Sequence, residues 1–239
     1  MSVKIPEPEG VNSKTQLLCA WAGPLAQLFW VTGFWLLARW IPPPSPTDGQ
    51  LAVQTMYQNN LEGIRTGMLI AAMGAALLGP FSAALATQMK RIEGRNSPLA
   101  YTQLGLGMVT ILLFVIPCFV MEAAAFRPDR NAVVMQALND VAWLPFVGAY
   151  QTTFIQLLAV ALCIFQDNRL RLFPRWLGYF TIWVAISLVP SGFCVFLKRG
   201  PFAWNGVLAF WLALAVFCGW FITMFVYLRR AILTEVQSI

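Results

Sequence analysis

Between Arg65 and Lys90 the chain carries no charged residue, and nearly every position is apolar. At about 1.5 Å of rise per residue, some twenty apolar residues in a helix cross a hydrocarbon layer roughly 30 Å thick. A chain with such a run belongs in a bilayer. Within it, small residues recur every fourth position, at Gly63, Gly67, Ala71, Ala75, Gly79 and Ala83, with Thr87 at the foot. That spacing puts the small side chains on one helical face, where a second backbone can approach closely. Lipid gains nothing from glycine, so the ladder predicts a central helix in a bundle.

Composition extends this reading to the whole chain. Of its 239 residues, 59% are hydrophobic and 11% charged, whereas soluble domains carry about 25% charged residues. Six apolar runs, near residues 17–41, 64–89, 100–122, 143–166, 176–197 and 202–228, alternate with charged or proline-containing loops. The expected fold is an all-α membrane protein, a single polytopic domain over residues 1–239, built as a bundle of six transmembrane helices. Met1 to Lys14 is polar, and the first apolar run is too long for the core of a signal peptide. The five cysteines all fall in apolar segments without CxxC spacing and read as small buried hydrophobes.

Two loops contain more than a connection. After Pro42-Pro43-Pro44-Ser45-Pro46, which cannot be helical, Asp48 to Gln58 reads as a short amphipathic helix with Leu51, Val53 and Met56 apolar. In the third loop Ala132 to Leu138 reads the same way, with Asn139-Asp140 capping the span that follows. Both are expected to lie along the membrane surface, so that two successive hairpins share one plan. Gly79-Pro80 predicts a kink in the second span, and Ser97-Pro98 an N-cap and N1 pair opening the third.

Basic residues set the orientation. With six spans, ten of the sixteen (Lys4, Lys14, Lys90, Arg91, Arg95, Arg169, Arg171, Arg175, Arg229, Arg230) share one side. The other six are Arg39, Arg65, Arg127, Arg130, Lys198 and Arg199. By the positive-inside rule both termini lie in the cytoplasm, and the plasma membrane is the expected location. The net charge of +6 is spread over helix ends rather than gathered in one stripe. It therefore fits membrane lipid headgroups as partners, not nucleic acid.

Absent residues narrow the chemistry. The chain has no histidine, which excludes histidine-ligated haem, histidine-box di-iron centres and histidine general bases. No span contains a lysine for a Schiff base. Asn139-Asp140 lacks the further aspartates that would hold magnesium and a diphosphate. No midspan position is charged, which argues against a carboxylate proton relay. No cofactor and no metal are expected.

Polar residues gather instead at one level, the outer boundary of the spans. Arg39 ends the first, Asn60, Glu62 and Arg65 open the second, and Glu122 ends the third. Asn139, Asp140 and Trp143 open the fourth, and Trp204 and Asn205 open the sixth. The bland alternative is that these residues are caps, anchors and self-neutralising pairs. The functional expectation is an outward-facing pocket in which Arg39, Asn60, Arg65, Asn139, Trp143, Trp204 and Asn205 bind a lipophilic or amphipathic small molecule. Such a protein would serve as a binding subunit of a transporter or membrane complex, with a partner membrane subunit or further copies of itself. The enzymatic alternative is cofactor-free acid–base isomerisation, hydration or cyclisation of a lipophilic substrate. There Glu122 would be the acid, and Asp140 or Glu62 the base.

Overall fold

Once in lipid, a chain must satisfy its backbone hydrogen bonds internally, and this one does so with helices. The computed structural model describes residues 12–237, with side chains as far as Thr234, and no strand occurs among them. Eight α-helices follow in order: α1 (Ser13–Trp30), α2 (Gln50–Asn59), α3 (Leu61–Glu93), α4 (Pro98–Phe126), α5 (Ala132–Gly148), α6 (Gln151–Gln166), α7 (Arg175–Leu188) and α8 (Ala213–Gln237). α1 runs on as a π-helix over Val31–Leu37, α7 as a 3₁₀ turn over Val189–Val195, and a π-helix over Val207–Leu212 leads into α8. Six of the resulting segments are long and apolar enough to cross a membrane: Ser13–Leu37, Leu61–Glu93, Pro98–Phe126, Ala132–Gln166, Arg175–Val195 and Val207–Thr234. The chain is an integral, multi-pass membrane protein by that criterion. Lys4, used in the orientation argument, lies outside the described residues.

The third helix is central, but only part of its ladder acts as expected. α3 packs most extensively against α4 and then against α1. At the crossing with the α1 extension, a Cβ on Gly67 would overlap the Gly33 carbonyl, and one on Gly33 the Gly67 carbonyl. Ala71 and Ala75 continue the buried face, but Gly79 is half-buried and Ala83 and Thr87 are exposed. The reason is arithmetic. At 3.6 residues per turn, each four-residue step rotates the ladder by about 40°, so its lower half leaves the seam. Beyond Pro80 the helix stays unbroken to Glu93.

Several boundaries move. The first span stops at Leu37 because Arg39 takes the left-handed conformation (φ 57°) and turns the chain so that Trp40 is buried. In the third loop there is no separate surface helix, since α5 runs unbroken from Ala132 to Gly148. Its cap is Asn131, whose side chain accepts from the Val133 N–H at 2.8 Å, so Asn139 and Asp140 are interior helical residues. Phe202 to Gly206 form a tight turn ahead of the sixth span, with Leu208 and Ala209 N–H both donating to the Pro201 carbonyl. Ser97 occupies the N-cap position of α4, but the capping is done by Glu93. Its carboxylate accepts from the Leu99 N–H at 3.0 Å and the Ala100 N–H at 2.7 Å.

The interior divides into two buried clusters. One, of Leu, Val, Ala, Met and Phe, occupies the half with the α3–α4 turn, α6, α7 and α8. The other occupies the half beneath α2 and is richer in Trp, Met and Cys: Trp40, Tyr57, Met68, Cys118, Met121, Met135, Trp143 and Trp204.

Candidate functional site

The helix α2 closes the second cluster from above. Its buried face is Val53 and Tyr57, one turn apart, while Leu51, expected on the apolar side, is 74% exposed. Neutral side-chain bonds hold it down: Gln54 Nε2 donates to the Arg130 carbonyl at 2.8 Å and Gln58 Nε2 to Pro128 at 2.7 Å. In return Gln136 of α5 donates to the Asp48 carbonyl at 3.2 Å. Beneath, the Trp40 ring lies edge-on to Tyr57 (centroids 5.6 Å) and to Trp143 (5.9 Å). Phe34 and Phe146 stack below at 5.1 Å.

Polar residues at this level fall into two groups. Members of the first are spent on the fold. Arg65 donates through Nε and Nη2 to the Ala125 carbonyl (3.1 and 2.8 Å) and through Nη2 to Phe126 (3.2 Å), closing the C-terminus of α4. It also pairs with Glu62 at 3.2 Å, whose side chain is 86% exposed. Asn60 Nδ2 donates to the Leu37 and Ala38 carbonyls at 2.9 and 3.1 Å, finishing the π-helix. The buried Trp204 Nε1 donates to the Pro44 carbonyl at 2.8 Å and ties the last loop to the first. Arg39 is exposed at its turn, and Asn205 sits half-buried in the turn before the sixth span.

The second group is unspent. Tyr57 Oη, Asn139 Oδ1, Trp143 Nε1 and Glu122 Oε1 are buried without a hydrogen-bond partner among the described residues. Asn139 lies one turn before Trp143 on the buried face of α5, 1% exposed, and the Trp40 ring stands between Tyr57 and Trp143. Glu122 lies between Cys118 and Ala125, residues of the same cluster, on one face of α4. Asp140, beside Asn139, is half-buried. Burial pushes the Tyr57 hydroxyl well above the ordinary phenol range, so it remains an O–H donor at neutral pH. An unsatisfied buried polar atom costs about 1–3 kcal/mol, so a hydrogen-bonding partner supplied to any of these four would stabilise the fold.

Of the residues expected at the site, the structure brings Asn139 and Trp143 together and puts Glu122 on a wall of the same cluster. It commits Arg65, Asn60 and Trp204 elsewhere and leaves Glu62 facing out. Tyr57 was not foreseen. The signal was present in the Val53/Tyr57 spacing of α2, one helical turn, but Leu51 and Met56 looked equally apolar. Among the described residues, no three Cys, Asp or Glu side chains converge as metal ligands would.

A second polar region lies at midspan. Thr110 of α4 bonds Thr152 and Thr153 of α6 at 3.1 and 3.2 Å. Ser82, Gly107 and Gln156 join Thr110 and Thr153 around a cavity of about 20 Å³. That volume holds a single water. Comparison with protein families, characterised proteins and solved structures finds no match for the chain.

Proposed function

We propose that this membrane protein binds a lipophilic small molecule with a neutral polar head, beneath α2, with both termini on the cytoplasmic side. The single observation that carries this reading is the unspent set. Tyr57 O–H and Trp143 N–H are donors, and Asn139 Oδ1 and Glu122 Oε1 are acceptors when the carboxyl is ionised. A head carrying an acceptor and a donor, such as a hydroxyl or a carbonyl beside one, satisfies the set, while the aromatic walls take the apolar body. Arg65 is engaged with carbonyls and Glu62, which favours a neutral head over an anionic one. The head enters as α2 lifts from α5, a movement that breaks a few neutral hydrogen bonds of about 0.5–1.5 kcal/mol each. As a binding protein of this kind it would work with a partner membrane subunit or with further copies of itself.

The test is native mass spectrometry from gentle detergent. Wild type should retain a small lipophilic molecule that Tyr57→Phe and Trp143→Phe release. Recovery of wild type with nothing bound, and no gain in stability on adding lipophilic alcohols or ketones, would sink the proposal.

Glu122 supports the enzymatic reading as a second possibility. The ion pair of Arg65 goes to Glu62, which leaves the Glu122 carboxyl free of a cation that would hold it ionised. It would give its proton to an alkene, epoxide or carbonyl oxygen while Asp140 accepts one from substrate carbon. Glu62, exposed and paired, does not serve as that base. Glu122→Gln should then abolish turnover while leaving binding intact, and normal turnover by this variant removes the assignment.

A further inference from the structure

At the opposite end of the bundle the α6–α7 loop and the end of α8 enclose a groove of about 630 Å³. Three guanidinium groups line it: Arg171 from the loop, Arg175 at the start of α7, and Arg230 near the end of α8. Among the described residues none of the three has a carboxylate partner within ion-pair distance. One acid, Asp167, also lines the groove, but its carboxylate is already surrounded by donors. It accepts from the Leu170, Arg171 and Leu172 N–H groups at 2.9, 2.9 and 2.6 Å. The same bonds hold Arg171 in a left-handed conformation (φ 50°), which fixes where its side chain departs. Arg230 is steadied by the Tyr227 ring, 5.7 Å from its centroid. Beside them α7, a fourteen-residue helix, begins after Pro174 with no side-chain cap, and both Pro174 and Arg175 line the groove.

We propose that this groove binds the phosphate of an anionic phospholipid. Guanidinium forks and a helix N-terminus are the donors that phosphate oxygens prefer. Below the groove the surface of α7 turns apolar: Tyr179, Trp183 and Ile186 are all more than half exposed and follow one another at helical spacing. An acyl chain has a track there that a free phosphate ion would not use. The Trp176 and Tyr227 rings, 5.6 Å apart, mark the headgroup level. The groove also lies at the end that gathers Lys90, Arg91, Arg95 and Arg229, the end that positive-inside bias places at the anionic leaflet.

The experiment measures retained lipid by native mass spectrometry on the full chain in micelles doped with phosphatidylglycerol, phosphatidylcholine or inorganic phosphate. Wild type should prefer phosphatidylglycerol, and each of Arg171→Gln, Arg175→Gln and Arg230→Gln should weaken that preference about fivefold. Arg169→Gln, outside the groove lining, should leave it unchanged. The triple variant should bind both lipids alike. If it fails to fold, the three single variants decide, since preferences unchanged in all of them overturn the site. Equal retention of the two lipids by wild type also overturns it. Displacement of phosphatidylglycerol by millimolar inorganic phosphate would show an anion site rather than a lipid site, and overturns the proposal as stated.

Discussion

The two halves of the bundle treat buried polarity in opposite ways. In the half that holds the α3–α4 turn, α6, α7 and α8, nearly every buried polar side chain is answered. Glu93 takes two amides and Asp167 three, Trp220 donates to Thr181 at 3.1 Å, and Thr110 bridges to two threonines of α6. In the half under α2, Tyr57, Glu122, Asn139 and Trp143 keep atoms that find no partner among the described residues. One half is finished as a fold. The other keeps several buried polar atoms open, and that contrast is the physical basis for the ligand proposed there.

Five substitutions test the contrast, each read as unfolding free energy in detergent. Asp167→Ala should have the largest effect, a loss of about 3 kcal/mol or more, because three amides lose a charged acceptor. A wild-type-like variant would mean that the answered half is not held by its polar bonds. Two of the buried tryptophans make a matched pair. Trp204→Phe and Trp143→Phe shrink their rings alike, but only Trp204 has a bond to lose. The first should cost about 1–2 kcal/mol more than the second, and equal costs would erase the distinction between spent and unspent groups. Gln103 is the exception that sharpens the rule, lying in the answered half with both side-chain atoms unpartnered and 0% exposed. Gln103→Leu should stabilise by about 1 kcal/mol. If it destabilises, Gln103 has a partner such as a buried water. The smallest effect is that of Tyr57→Phe. Without ligand it should be neutral or gain a few tenths of a kcal/mol, so a clear loss would mean that Tyr57 Oη bonds within the chain.

How much of this could be read from residues alone depends on which force decides. The six helices long and apolar enough to cross a membrane were legible because lipid demands such helices and allows few other solutions. Capping was less so. Asn139-Asp140 is the right chemistry for an N-cap, but nothing between Ala132 and Asp140 stops a helix, and Asn131 was available earlier. At α4 the cap came from Glu93, across a turn, which residue type at the N-cap position cannot reveal. The ladder on α3 was sound locally and failed over distance, through the rotation of about 40° at each step. At the candidate site, Asn139, Trp143 and Glu122 were singled out by position at the boundary, and the structure buries a side-chain atom of each without a partner among the described residues. Whether a boundary residue is spent or free turns on a backbone carbonyl from a distant loop, as Pro44 decides for Trp204, and no local pattern encodes that.

Helix α2 contains no charged residue, and the side-chain bonds that fasten it are all amide to carbonyl. Moving one elementary charge through a membrane potential does work of about 2.3 kcal/mol per 100 mV. If the helix lifts as proposed by hinging at Gly49, Asp48 stays behind with its Gln136 bond, no side-chain charge moves and no ion pair breaks. Such an opening would answer weakly to depolarisation and to ionic strength. It would answer instead to the chemical activity of the proposed ligand and to the mechanical state of the lipid around it, such as lateral pressure and thickness.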